Sequence, residues 1–402
     1  MEARSRPTTQ RRERDLLDWV RLLADEVGPR RPTGSGERRA AELIRAALGD
    51  AGVDARLEPF RAYSTFAAPY GAIAAAALAP VLLPRSRRLL RAIPAAAAAA
   101  ALLTEGGLVR TPLSDALSSR RSQNLVATIE PAAEPRRTVC LLCHLDTSRS
   151  GLLFHPSLGR YLSPWLLAQS IAILAQAAEP LLVRTRPGRV ALAAARTVIA
   201  AGAALLVERE LRGQDVPGAN DNASGVAVVA SLATALAQRS LEHTRVEVLM
   251  AGCEEAGVLG TQAFLRSRDT GGWLFLNFDN IGGPATLRYL RREGLARKWD
   301  ADPALTAIAA GIGDERPDLQ LAPSEGPIGL TYDATPVLAR GGRALTLVAA
   351  DAGVIPNYHW PTDTTDNLDP EALERAFVAG REMMAAIDRG EADEPGAPGQ
   401  AR

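Results

Sequence analysis

Residues 246–257 read V-E-V-L-M-A-G-C-E-E-A-G. The apolar run predicts a buried strand, and the glycine-flanked acidic turn ends it on two adjacent carboxylates. A helix is expected from about Gly260, and L-F-L-N-F at 274–278 predicts the next strand. Strands alternating with helices argue for a mostly parallel sheet covered on both faces. Upstream, the turn P-G-A-N-D-N-A-S-G at 217–225 opens a helix over 225–238, and strands are expected at 54–60, 124–129 and 138–143. Downstream lie a helix at 303–311, a short strand at 344–349 and a last helix at 370–388. Near the start, Leu16, Leu17, Val20, Leu23 and Val27 share one helical face. A second helix follows, with Ser35 as its expected N-cap and Gly52 as its stop. The fold class read from this pattern is α/β, a mostly parallel mixed sheet with helices on both faces.

The chain has 402 residues, with Lys+Arg and Asp+Glu both totalling 46, so its formal net charge is zero. No basic stripe with interleaved aromatics is present, which argues against a nucleic-acid partner. Three cysteines make no disulfide framework. Cys140 and Cys143 form a C-x-x-C inside an expected strand, where they point to opposite faces, and Cys253 reads as core. Arg-rich residues 1–12 carry no apolar segment of signal-peptide type, so the reading stays between a cytoplasmic and a membrane-associated protein. Residues 1–12 and 389–402 are expected to be disordered tails.

Two alanine-rich blocks interrupt the α/β pattern and predict inserted helical hairpins at 67–107 and 152–207. Their longer apolar segments approach membrane-spanning length. Against that stand the weak hydrophobicity of alanine, Pro164, Pro180 and Arg196. The basic turns at 85–91 and 184–189 would also face outward if the rest of the chain were cytoplasmic. Membrane association, a packed soluble arm beside the site, and an oligomer interface all remain open at this level.

Metal-ligand side chains fall just after successive expected strands, where open α/β sheets carry their sites. They are His144 in C-H-L-D, Asp221 in the 217–225 turn, Glu254 and Glu255, Asp279 in N-F-D-N, and His359 in Y-H-W-P-T-D. Asp146 is placed to orient the His144 ring. Taken singly, each has an ordinary explanation: a loop histidine, an N-cap aspartate, a solvated acidic turn. Adjacent buried carboxylates are costly without a cation, however, and imidazole–carboxylate donors without thiolates suit a hydrolytic zinc site. His155 and His243 fall outside this pattern.

The order and local contexts resemble the di-zinc aminopeptidases of peptidase family M28, which also contains glutamate carboxypeptidase and glutaminyl cyclase. The matching segments are R-R-P-T-G-S-G-E-R-R-A-A-E-L-I from Arg30, C-H-L-D-T, P-G-A-N-D-N-A-S-G, C-E-E-A-G-V-L-G-T, N-F-D-N-I-G, Y-D-A-T-P and Y-H-W-P-T-D-T. The resemblance implies a zinc aminopeptidase-like three-layer sandwich, a single metallopeptidase domain over 13–402 with its core at 13–66, 108–150 and 208–388. It also implies two zinc ions per chain. Asp221 would bridge them ahead of a cis peptide, His144 and Asp279 would complete one, and Glu255 and His359 the other. Glu254 would be the general base in hydrolysis of a peptide substrate, with Asp146 beside it in the catalytic set. Tyr332 would lend a hydrogen bond to the oxyanion, and Asp333 and Asp363 would fix loops. The alternatives are a glutaminyl-peptide cyclotransferase with one working zinc and a catalytically inactive binding or membrane scaffold. The stretch between Glu255 and His359 is too short for an inserted dimerisation domain.

Overall fold

The computed structural model describes residues 15–84, 86–294, 297–325 and 330–393. The expected tail at 1–12 and most of the C-terminal one lie outside these residues. Its strands are β1 (Ala55–Ala62), β2 (Arg120–Ile129), β3 (Arg137–His144), β4 (Thr244–Ala251), β5 (Leu274–Phe278), β6 (Leu287–Leu290), β7 (Arg292–Glu293), β8 (Trp299–Asp300), β9 (Ala322–Ser324) and β10 (Arg343–Ala349). Eight of them form one sheet in the order β1-β2-β4-β3-β5-β10-β6-β9. The central run β4-β3-β5-β10 is parallel, while β1, β2 and β6 join antiparallel to their inner neighbours. The sheet is therefore mixed, with its parallel part at the centre, because the crossing helices cover both faces only there.

On one face, the helices Leu16–Arg21, Ser35–Asp50, Gly225–Gln238 and Pro370–Asp388 pack onto Leu141, Cys143, Val248 and Leu276. On the other, Leu259–Ser267 and Thr335–Ala339 cover Cys140, Leu142, Leu249 and Phe275. Cys140 and Cys143 thus belong to different layers of core, as the two-residue strand period requires. All three cysteines are free and buried.

The second helix departs from expectation at its start. Gly34, not Ser35, is the N-cap, and no side chain caps it. Instead Glu37 reaches back to accept the Thr33 N–H at 2.9 Å. Residues 389–393, the described part of the expected C-terminal tail, are tied to the body: Arg137 donates to Asp393, and Arg343 to the Ala392 carbonyl.

Residues 67–107 form helices Ala67–Leu78 and Arg88–Gly107 joined through a 3-10 turn at Ala79–Leu82. The second block forms Gly159–Ala177, Glu179–Leu182 and Arg186–Arg212. These helices share one cluster made of Ile73, Ala77, Ala98, Leu102, Ile173, Ala195 and Ile199. Small side chains let the four long helices approach closely and pack as one arm.

Candidate metal centre

The carboxyl ends of β3, β4, β5 and β10 lie side by side, and the loops leaving them carry the candidate ligands. His144 is the last residue of β3, Glu254 and Glu255 open a short helix after β4, and Asp279 follows β5 directly. Asp221 sits in the turn Ala219–Ser224 that feeds the helix Gly225–Gln238, and the Asp221–Asn222 peptide is cis. His359 lies in the loop beyond β10 with a left-handed backbone, φ 52°.

The five ligand candidates converge into two buried groups that share Asp221: His144, Asp221 and Asp279, and Asp221, Glu255 and His359. Asp221 turns one oxygen to each side. Its Oδ1 is 3.2 Å from His144 Nε2, and its Oδ2 is 3.2 Å from His359 Nε2. Asp279 Oδ2 lies 3.6 Å from His144 Nε2, and Glu255 Oε2 3.1 Å from His359 Nε2. His155 and His243 stand apart; the His155 ring packs edge-on against Trp360.

Charge is concentrated here without solvent to screen it. Burial and the nearby Asp221 push Asp279 up to about 7, against the pull of His144. Burial also drives Glu254 well above the ordinary carboxylate range, with Glu255, Asp333 and Asp279 adding to it. Burial alone would lower both histidines, yet hydrogen bonding to Asp221 and the charge of Asp279 hold His144 well above its ordinary value. Glu255 and Asp221 likewise hold His359 at about 9. Asp221 is kept below the usual range in spite of burial, because both imidazoles donate to it. Without a metal, protons on the histidines supply the positive charge. Glu255 Oε1 is buried without a hydrogen-bond donor, the state of an acceptor shaped for a cation. Nitrogen and carboxylate donors with no thiolate fit zinc.

Asp146 occupies a different place from the one expected. The His144 Nδ1 is 3.1 Å from the Asp146 backbone carbonyl, and 3.7 Å from its carboxylate. The carboxylate instead accepts the Glu254 and Glu255 N–H groups, each at 3.0 Å, and so fixes the acidic turn. Asp363 does the same for the other turn, accepting from Asn220 N–H at 2.7 Å and Asp221 N–H at 3.0 Å. Asp333 accepts from the Thr261 hydroxyl at 2.6 Å. The Tyr332 hydroxyl is buried and has no partner.

Two further residues hold the site; both lie in the family-resembling segment from Arg30, but no role for either could be read from the sequence alone. The Arg30 guanidinium is fully buried and donates to five carbonyls: Leu23, Gly28, Leu145, Pro217 and Gly218. It ties the loop after His144 to the turn of Asp221. Glu37 accepts from Ser122 Oγ at 2.8 Å and from Cys253 N–H at 2.8 Å, anchoring the other side of the acidic turn. Cys253 needs that anchor, since its φ of 56° is a strained conformation for a residue with a side chain.

A cavity of about 210 Å³ opens from Glu254, Glu255 and His359 into the helical arm. Phe66, Phe154, Leu162, Trp165, Leu166 and Leu206 give it an apolar wall. Phe154 also packs edge-on against His359, ring centroids 4.4 Å apart.

Residues 203–384 match the model of Peptidase family M28. A probable lipoprotein aminopeptidase, LpqL of Mycobacterium tuberculosis, is 30% identical over 184 residues, 39% of this chain and 37% of that protein. The chain thus matches little more than a third of that relative's length. Among solved structures, the zinc aminopeptidase BSAP from Bacillus subtilis superposes with TM-score 0.56 at 13% identity, covering 92% of this chain and 94% of that one. An aminopeptidase from Aneurinibacillus sp. strain AM-1 gives 0.56 at 15%, covering 92% of each. Porphyromonas gingivalis glutaminyl cyclase gives 0.52 at 14%, covering 93% of this chain and 97% of that one. The family model thus matches less than half of the chain, and the solved structures share the fold read from the motifs.

Proposed function

We propose, on the premise that residues 203–384 build a peptidase family M28 site, that the chain is a zinc-dependent exopeptidase of the aminopeptidase type. One observation carries this reading: Asp221 stands between two complete ligand groups, one oxygen facing each histidine. His144 and Asp279 would hold one zinc and Glu255 and His359 the other, with Asp221 shared. Two ions there would supply Lewis acidity toward water and the scissile carbonyl.

The rest of the chemistry belongs to the chain. Glu254 lines the cavity at its junction with Glu255 and His359, where an attacking water must sit. Its carboxylate takes the proton of that water and returns it to the leaving amine; burial and neighbouring carboxylates raise its proton affinity for the task. Asp146 holds Glu254 and Glu255 in register through their backbone N–H groups. The unpartnered Tyr332 hydroxyl supplies a donor for the developing oxyanion. The cavity exceeds the roughly 150 Å³ that houses a benzene ring, and its apolar wall suits a bulky apolar residue at the substrate N-terminus.

Elemental mass spectrometry on purified protein, beside hydrolysis of leucine p-nitroanilide, tests the reading. Two zincs per chain are expected, with Glu254→Gln keeping both and losing about 10²–10⁴ in turnover. One zinc, with cyclisation of an N-terminal glutamine in place of hydrolysis, would move the chain to the glutaminyl cyclases. Full turnover in Glu254→Gln would remove it from the role of base.

A further inference from the structure

The surface of the helical arm is unlike the rest of the molecule. Among the described residues, every exposed large hydrophobic side chain except Val354 lies between residues 81 and 211. Leu82 is 87% exposed, Leu181 65%, Val190 65% and Ile93 64%. On the helix Arg186–Arg212, the exposed positions from 190 to 207 are valines, alanines and Thr197 alone. At 1.5 Å per residue this uncharged stripe runs about 27 Å, close to the roughly 30 Å hydrocarbon thickness of a bilayer.

The polar groups of the arm are arranged as lipid would demand. Thr197 Oγ1 donates to the Ala193 carbonyl, Thr104 Oγ1 to Ala100, and Ser170 Oγ to Leu166, each within its own helix. Residues 67–107 and 152–207 contain nine arginines and only two acids, Glu105 and Glu179. Both acids are buried. Glu179 is neutralised inside the bundle by Arg91 and Arg196. Among the described residues of these two stretches the outward-facing charge is therefore entirely positive, and Arg87, Arg184, Arg186 and Arg189 gather it at the turns, while Glu208 and Glu210 lie at the opposite end of the last helix. A second copy packed through these turns would set like charges against each other, whereas anionic headgroups complement them.

We propose that the arm is embedded in a lipid bilayer, crossed by the helix Arg186–Arg212, which among the described residues is the one helix long and apolar enough to span it, with the arginine turns seated among anionic headgroups. The uncharged helix faces then meet acyl chains, and the peptidase site stands at the base of the arm on one side of the membrane. This placement is independent of the catalytic reading, so Glu254→Gln must partition like the wild type.

The full chain is expressed, its membrane fraction washed with alkaline carbonate, and the purified protein floated with vesicles of phosphatidylcholine and phosphatidylglycerol. The wild type should resist the wash and float with the vesicles. The triple variant Ile93→Glu, Ile171→Glu, Val207→Glu places carboxylates at exposed helix positions and should lower the vesicle-bound fraction at least tenfold. Its unfolding temperature in detergent checks that it folds; if it does not, the carbonate result on the wild type decides. Recovery of the wild type in the soluble fraction without detergent, as monomer or as dimer, would overturn the proposal. So would a folded triple variant that floats as the wild type does.

Discussion

Replacing Asp146 by asparagine separates two roles that a single carboxylate could play. Both of its oxygens accept backbone N–H groups, Glu254 and Glu255 at 3.0 Å each. An amide can accept only one of them and turns an NH₂ against the other. A hydrogen bond to a charged group contributes about 1.5–3 kcal/mol, and a buried orphan donor costs about 1–3 kcal/mol more. Asp146→Asn therefore removes roughly 3–5 kcal/mol from the acidic turn. A displacement of Glu254 of about 1 Å is enough to cost on the order of a hundredfold in rate. The His144 ring, by contrast, keeps its bond to the residue-146 backbone carbonyl. The expected outcome is a fall in kcat of at least a hundredfold, with the ion held by Glu255 and His359 weakened and the one at His144 and Asp279 retained. Steady-state kinetics beside zinc analysis after gel filtration reads both. A kcat within threefold of the wild type would refute the argument, and loss of both ions together would return Asp146 to the orientation of His144.

Two other outcomes follow from the same geometry. In the metal-free chain His359 keeps its proton up to about pH 9, and zinc must displace it, so affinity falls as pH drops below that value. Zinc titration by calorimetry in buffers of differing ionisation enthalpy should show proton release and about tenfold weaker binding per pH unit per displaced proton; pH-independent affinity would contradict it. Leu166→Trp fills part of the apolar cavity. Burying a large apolar side chain is worth about 1.5–3 kcal/mol, so kcat/KM for a phenylalanine anilide should fall about tenfold or more while that for an alanine anilide changes little. Equal losses on both substrates would remove the cavity from substrate recognition.

The candidate ligands His144, Glu254, Glu255 and Asp279 could be picked out in the sequence because they sit at strand ends that local apolar runs mark, and Asp221 because its turn opens a helix; His359 lies in the loop beyond β10. The parallel centre of the sheet followed from the same alternation. Arg30 and Glu37 were not legible as supports. Their partners lie far along the chain: Arg30 binds carbonyls at 217 and 218, and Glu37 binds the N–H of Cys253. A charged residue in a Gly/Pro-rich stretch reads as solvated until the fold shows it sealed in. Ser35 illustrates the complementary failure. Its residue type is right for a cap, but Glu37 is drawn inward to Ser122 and Cys253 and takes the Thr33 N–H on the way. The alanine blocks were ambiguous for a physical reason: alanine is tolerated equally in a tight soluble bundle and in a membrane helix, and only the outward faces distinguish the two.

The two proposed metal positions are not equally prepared. The Nε2 atoms of both histidines face Asp221, but His144 is also held at Nδ1 by the Asp146 carbonyl, and Asp279 Oδ1 accepts from Asn280 Nδ2 at 2.7 Å. Across the site, His359 Nδ1 has no partner, Glu255 Oε1 has none, and the His359 backbone is left-handed. Packing of Phe154 and Tyr358 against the His359 ring restrains it, with no hydrogen bond at Nδ1 to fix it from behind. A preorganised site binds more tightly because less ordering remains to be done on binding. The ion at His144 and Asp279 should accordingly be the tighter one, and a chelator should strip the chain in two steps. His359→Ala should retain one zinc per chain, while His144→Ala should lose the tighter ion and leave only a weakly held one. Simultaneous release of both ions from the wild type, or retention of a tight ion in His144→Ala, would show that Asp221 couples the positions more strongly than their separate supports distinguish them.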